Sequence, residues 1–348
     1  MPGNPLIRPF FRCWYSTWYG KERTRICRCG RCAGVVGSVA SFACIGIGHV
    51  NDPTGAPPNT LLFMAEQVLV TLDCELRDAD EPLLHADDMA ALRGDGVFET
   101  LLVRRGKALN LEAHLTRLAH SAELLDLPET APSDWRDAVA MAVQRWGDRR
   151  EGALRLVYSR GRENAGSAIT AYVLVSPLNQ RVHQARSSGV TVITLERGYA
   201  SDLKEFAPWL LLGAKTLSYA VNMAAIRYAL RNGADDAVFV SSDGYVLEGP
   251  RSTVMILRGR ELLTPPLDYG VLPGTTQQAV FAMAEEYGFT AAYAALTVVD
   301  LLNADGAWLV SSVALGARIT SLNGIRMPEP AAAVEVARLV DRAVEKAD

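Results

Sequence analysis

From Gln67 onward the chain alternates short runs of strand character with single amphipathic helices, and nearly every run ends in a turn signal. "QVLVTLDCEL" alternates with a period of two, and "GDGVFETLLVRRGKALNL" reads as two strands joined at Arg105-Gly106, so the segment opens as a β-meander. Leu111, Leu115, Leu118, Ala122 and Leu125 then recur at helical spacing, and a second helix is expected near "WRDAVAMAVQRW". "GALRLVYSRG" and "AITAYVLVSPL" supply two more strands, which makes residues 64–185 an α+β unit. "LNQRVHQARSSG" reads as a crossing segment into a second unit, residues 186–348, that begins with strand "VTVITLE".

In the second unit Leu217, Val221, Ala224, Ala225 and Tyr228 define one apolar helical face, stopped by Asn232-Gly233. Lys215 is expected at or just before the start of that helix. "DAVFVSSDGYVLEGP", turning at Asp243-Gly244, and "STVMILRGRELLTP" each read as strand-turn-strand. "LPGTTQQAVFAMAEEYGF" leads from a loop into a helix, and strand "AWLVSS" and helix "AAAVEVARLVDRAV" close the chain. The expected class is α/β (α+β) in two domains, which suits 348 residues, more than one core usually serves.

Residues 1–63 break the pattern. They carry Arg8, Arg12, Lys21, Arg23, Arg25, Arg28 and Arg31 against Glu22 and Asp52, and hold five of the six cysteines: Cys13, Cys27, Cys29, Cys32 and Cys44. Three readings compete: a metal knuckle at "CRCGRC", a targeting peptide, and a poorly ordered extension upstream of Met64. Zinc sites pair two Cys or Cys/His units, and only one partial unit is present, with His49 the sole nearby imidazole. The apolar run "GVVGSVASFACIGIG" is too short and glycine-rich to span a bilayer. The extension is the preferred reading. A net charge of −4 gives no reason to expect nucleic acid or an anionic membrane as partner, so a small-molecule substrate is expected. Cytoplasm is the expected compartment, and Cys74 an ordinary free thiol.

Four features stand apart from the scaffold: Lys215, Glu248, Arg117, and Gly274-Thr275-Thr276 ahead of a helix. Singly, each has an ordinary explanation: a snorkelling lysine, a turn glutamate, a helix-surface charge, a threonine N-cap. Together they meet the needs of pyridoxal phosphate, which takes a lysine amine as a Schiff base, a charge partner for its ring nitrogen and a phosphate cradle. Glu248 would keep the ring nitrogen protonated. The helix start at 274–276 offers N–H donors and a favourable dipole to the phosphate, and Arg117 adds a bidentate charged contact.

The order of Gly94-Asp95-Gly96-Val97-Phe98-Glu99, "HLTRL" (His114 to Leu118), Lys215-Thr216-Leu217, Asp243 to Glu248 and Gly274-Thr275-Thr276 resembles the class-IV aminotransferase family, the fold-type IV pyridoxal-phosphate enzymes. The resemblance implies that Lys215 carries the cofactor, that Glu248 faces its ring nitrogen, and that Arg117, Gly274, Thr275 and Thr276 hold its phosphate. Ser252 and Thr253 would reach the phosphate or the ring. It also implies a two-domain architecture with the cofactor at the domain interface, and a homodimer.

Within the family, Lys215 is followed by Thr-Leu-Ser-Tyr, unlike the Gly-Gly-Asn-Tyr of branched-chain enzymes. "YSRGRENAGSAITAYV" lacks the Arg-x-His clamp of D-amino-acid aminotransferases, and the late loop "SSVALGARIT" resembles that of 4-amino-4-deoxychorismate lyases. The expectation is a lyase yielding 4-aminobenzoate and pyruvate. The alternatives are a D-amino-acid aminotransferase, then a branched-chain one, then a non-catalytic protein retaining the scaffold. For the substrate, Arg160 or Arg162 would hold a carboxylate or be plain loop charges, and Phe98 would line the pocket or be plain core.

Overall fold

The computed structural model describes residues 67–347, apart from 165 and 167. The readings of residues 1–63, including the "CRCGRC" knuckle, lie outside the described residues. Two sheets organise the rest. The first is built from β1 (Val68–Thr71), β2 (Leu76–Arg77), β3 (Gly96–Arg104), β4 (Lys107–Ala108), β5 (Gly152–Ser159) and β6 (Thr170–Pro177), in the order β2-β1-β6-β5-β3-β4. All of its pairs are antiparallel. Arg105 and Gly106 both take positive φ, 51° and 72°, which gives the β3–β4 hairpin a tight turn whose twist matches its strands. After α1 (Met89–Arg93) come α2 (Leu111–Leu124) and α3 (Pro132–Trp146), which cover one face of the sheet. Leu115, Leu118, Trp135 and Val139 of these helices meet Leu101, Leu154 and Val173 in a single core.

After α4 (Gln180–Ser188), β7 (Val190–Glu196) opens the second sheet. It is followed by α5 (Leu203–Phe206), α6 (Ala220–Arg231), β8 (Asp236–Val240), β9 (Thr253–Arg258), β10 (Glu261–Thr264), α7 (Thr275–Met283), β11 (Thr290–Tyr293), α8 (Val298–Leu302), β12 (Gly306–Ser311), β13 (Leu315–Leu322), β14 (Ile325–Arg326) and α9 (Ala333–Lys346). The strand order is β11-β10-β9-β12-β13-β7-β8, with β14 on β13. The β7–β8, β7–β13 and β10–β11 pairs are parallel and the others antiparallel. Strand β9 explains its own apolar run "TVMILR". Met255 and Leu257 face α7 and α9, whereas Val254 and Ile256 face the opposite layer with Leu309 and Ile319, so both faces are buried. Each such side chain contributes about 1.5–3 kcal/mol of burial.

The structure differs from the sequence reading in four places. "QVLVTLDCEL" folds back at Cys74, whose φ is 62°, and becomes the β1–β2 hairpin. The crossing segment is a helix, α4, capped by Asn179 Oδ1, which accepts from Arg181 N–H at 2.9 Å. The stretch read as a late loop enters β13 at Leu315. In α6 the buried residues are Ala225, Ile226 and Ala229, and Val221 and Tyr228 are 60% and 49% exposed. The small side chains let the helix lie close on β8, which turns the larger ones outward. No helix among the described residues is long and apolar enough to cross a membrane.

Candidate active site

Lys215 lies in an extended segment five residues ahead of α6 rather than on the helix. That segment runs antiparallel to the start of β3: Phe98 N–H donates to Lys215 O at 3.0 Å, Leu217 N–H to Gly96 O at 2.8 Å, and Thr216 bridges Val97. Lys215 N–H donates to Ser121 Oγ of α2 at 3.1 Å. With its backbone tied to two elements, the side chain leaves in a fixed direction. Its Nζ stands 4.4 Å from the ring centroid of Phe98 and 5.8 Å from that of Tyr219, and these rings meet edge to face at 5.2 Å. Burial, with the Arg117 cation adding to it, brings the amine's pKa down to about 8, against the opposing pull of Glu99 and Glu248. A lysine so placed supplies an uncharged nucleophile from about pH 8 upward, well below the range of an ordinary lysine.

His114 and Arg117 sit three apart on α2, on the face it buries, and both reach Glu99 of β3, which has no exposed surface. Arg117 Nε donates to Glu99 Oε1 and Nη2 to Oε2, each at 2.8 Å, while Nη1 donates to Pro273 O at 2.8 Å. His114 Nδ1 lies 2.6 Å from Glu99 Oε2, and its Nε2 lies 3.1 Å from Thr275 Oγ1 and 3.0 Å from Ser312 Oγ. Burial alone would raise the Glu99 pKa, but Arg117 and His114 hold it well below the carboxylate range. For His114 burial dominates and keeps the imidazole toward its neutral form.

The segment 272–276 ties these parts together. Leu272 N–H donates to Glu248 Oε2 at 3.0 Å, and burial raises that carboxyl's pKa in spite of the bond and of Lys215. Pro273 O receives Arg117. Gly274 packs so closely on Thr253 that a Cβ would fall 2.3 Å from its Oγ1. Thr275 meets His114, and Thr276 Oγ1 lies 3.5 Å from Ser312 Oγ. Gly274, not Thr276, is the N-cap of α7, and it makes no side-chain cap, so the first N–H groups of the helix point outward as free donors. Ser252 Oγ and Gln277 Nε2 are buried without a hydrogen-bond partner in the protein. An uncapped helix start with the orphaned Gln277 Nε2 in its first turn, an arginine, and Thr253 packed on Gly274 with the orphaned Ser252 Oγ one residue before it suit a phosphate dianion.

Of the residues expected from sequence, Lys215, Phe98, Arg117, Glu248, Thr253, Gly274, Thr275 and Thr276 come together in this one region. Arg160 and Arg162 do not join them. Arg160 Nε donates to Asp95 Oδ2 at 2.7 Å and its Nη2 to Leu125 O at 2.7 Å, and Arg162 Nε donates to Asp87 Oδ1 at 2.8 Å. Both guanidinium groups are engaged by carboxylates and carbonyls of neighbouring segments, away from Lys215, so this geometry gives neither a substrate-carboxylate role. Glu99 and His114 entered the sequence reading only as members of motifs, without a role, and Ser312 and Tyr219, whose hydroxyl donates to Pro250 O, were not singled out. A glutamate in the strand opposite His-x-x-Arg on a helix was the available signal for the first two. Ser312 offered none.

The family model for amino-transferase class IV matches residues 96–322, and the chain belongs to that family, as a pyridoxal-phosphate-dependent enzyme. It is 56% identical over 286 residues, 80% of this chain and 99% of the other, to a bifunctional aminodeoxychorismate lyase / D-amino acid transaminase of Mycobacterium tuberculosis. A hypothetical aminotransferase from Mycobacterium tuberculosis, solved in a PLP-bound form and with alpha-ketoglutarate and PMP, matches with a TM-score of 0.79 at 56% identity, over 81% of this chain and 100% of the other. A fold IV-transaminase from Curtobacterium pusillum matches with a TM-score of 0.75 at 43% identity, over 80% of this chain and 98% of the other.

Proposed function

We propose that the chain is a lyase that converts 4-amino-4-deoxychorismate to 4-aminobenzoate and pyruvate, with residues 64–185 and 186–348 as its two domains. The observation that carries the cofactor chemistry, common to this reading and the second one below, is Lys215, tethered by its backbone to β3 and α2 with its amine brought to a pKa of about 8. The 56% identical relative whose name includes the lyase supports it. When bound, the cofactor supplies an electron sink beside the substrate's amino-bearing carbon. Lys215 Nζ holds the cofactor, and once displaced it takes the proton from C4 of the substrate, for which it must be uncharged. Departure of the enolpyruvyl oxygen then leaves an aromatic ring and consumes no keto acid. Glu248, whose carboxyl keeps its proton readily, shares one proton with the ring nitrogen. Arg117, Ser252, Thr253 and residues 274–276 hold the phosphate, and Phe98 lies under the reacting amine.

The second reading is D-amino-acid transamination, which uses the same cofactor residues and is the other activity in that relative's name. The test is to incubate the protein with pyridoxal phosphate and 4-amino-4-deoxychorismate, without keto acid, and follow 4-aminobenzoate fluorescence beside Lys215→Ala. Product from the wild type alone supports the lyase. Absence of product, together with amino transfer from D-alanine to 2-oxoglutarate, replaces it with the transaminase. A homodimer in the cytoplasm belongs to the same proposal.

A further inference from the structure

The buried Glu99–His114 pair is more than the reading above uses. A carboxylate without solvent contact that faces three donors, two from Arg117 and one from His114, is an acceptor only, so the hydrogen on His114 must sit on Nδ1. Nε2 is then a bare acceptor with a single lone pair. Two hydroxyls, Thr275 Oγ1 at 3.1 Å and Ser312 Oγ at 3.0 Å, compete for it. They lie 3.4 Å from each other, so one can donate to the imidazole while the other keeps its hydrogen for an anion. Thr275 is 3% exposed and begins α7, which makes it the natural partner of Nε2 and leaves Ser312 free.

Glu99 constrains Arg117 in the same way. A guanidinium has five N–H groups. Two go to Glu99 and one to Pro273 O, two residues before α7, and one N–H on each Nη remains outside these bonds. One buried carboxylate thereby aims an arginine directly and two hydroxyls through a histidine, and the groups it aims come from both sheets: α2 beside the first, α7 and the turn after β12 beside the second.

We propose that Glu99 and His114 are positioning residues for phosphate recognition: Glu99 fixes the Arg117 fork and the His114 tautomer, and His114 in turn holds the Thr275 hydroxyl, so that the remaining donors of Arg117 and the hydroxyl of Ser312 converge on the phosphate of the cofactor. This rests on residues 274–276 being the phosphate cradle. The contribution should appear as selectivity for the phosphate rather than as a general loss of binding, because neither residue hydrogen-bonds Lys215 Nζ or Glu248 and Glu99 reaches the amine only through its charge, which the His114 variants leave in place.

The experiment measures the affinity of the full-length apoprotein for pyridoxal phosphate and for pyridoxal, which lacks the phosphate, in the wild type, Glu99→Gln, His114→Phe and His114→Gln. Losing hydrogen bonds to charged groups predicts that Glu99→Gln and His114→Phe weaken pyridoxal phosphate roughly ten- to hundred-fold. Pyridoxal binding should change by less than about three-fold, and His114→Gln, which keeps a donor and an acceptor, should recover most of the loss. Equal weakening of both ligands, or no change of their ratio in folded variants, overturns the proposal. If Glu99→Gln does not fold, the two His114 variants decide in the same manner. A wild type that binds both ligands equally removes the cradle itself, a failure distinct from unchanged selectivity in the variants.

Discussion

Gly96→Ala is the sharpest test of how Lys215 is held. Gly96 sits where β3 is flanked by β5 on one side and the lysine segment on the other. A Cβ there would meet Tyr158 O at 2.6 Å, Leu217 Cδ1 at 2.7 Å and Ser159 Cα at 2.9 Å. Two of these atoms are backbone of β5, in register with Gly96, and cannot rotate away. Relief has to come from the third direction, where Leu217 N–H donates to Gly96 O and Phe98 N–H to Lys215 O. Overpacking costs about 1–3 kcal/mol and two weakened hydrogen bonds about 0.5–1.5 kcal/mol each, so the expected loss is about 2–6 kcal/mol. For a chain of this size that lowers Tm by on the order of 5–10 °C. A thermal melt of the apoprotein measures it, and the visible absorbance of the lysine-bound cofactor shows whether Nζ has moved. Should the variant melt within about 1 °C of the wild type with an unaltered cofactor band, the bare edge of β3 does not hold the lysine and the reasoning is wrong.

Three further outcomes are expected. Because the folded Lys215 pKa lies near 8 and its unfolded one near 10.5, the unfolded apoprotein binds more protons between those values, so stability rises with pH across that window by on the order of 1–3 kcal/mol. Lys215→Met should flatten that part of a pH series of urea melts, and wild-type capture of pyridoxal phosphate should quicken up to about pH 8 and then level. Arg160→Ala, which removes bonds to Asp95 and to the Leu125 and Asp126 carbonyls, should lower stability by about 0.5–2 kcal/mol and leave KM within about two-fold, and a large rise in KM would restore its substrate role. Deletion of residues 1–63 should change neither turnover, metal content nor Tm, which steady-state assay, metal analysis and a melt would check together.

What sequence revealed, and what it did not, divides along physical lines. The β3–β4 hairpin and helices α2 and α3 were legible because their hydrophobic period is self-contained, and Arg105-Gly106 marks its turn without outside help. The pairing of Lys215–Leu217 with β3 was hidden, because a three-residue bridge has no period and its partner lies more than a hundred residues away. Strand β13 was hidden for another reason: Gly316 and Arg318 interrupt its apolar run, and only their packing beside Trp308 on β12 makes sense of them. At the site, the lysine, the glutamate at 248 and the Gly-Thr-Thr were visible as residue types suited to one cofactor. Glu99 and His114 were not, since a buried charge has no meaning in sequence until its counter-charges are located. The outward turn of Val221 and Tyr228 came from the small residues beneath α6, which hydrophobicity alone ranks below them.

The parallel placement of β7 between β13 and β8 has a consequence for how the chain matures. During synthesis the region carrying Glu99, His114 and Arg117 can fold early, since every strand of its sheet lies between residues 68 and 177 and leaves the ribosome before the second sheet is made. Strand β7 also emerges early, but one of its two edges stays open until β13 has left the ribosome. Lys215 is synthesised well before Thr275 and Ser312, so the proposed cradle is complete only once α7 and β12 have been made. The cofactor meets a finished binding surface only at the end of translation, and its capture then acts by mass action on the completed fold rather than as a template for it.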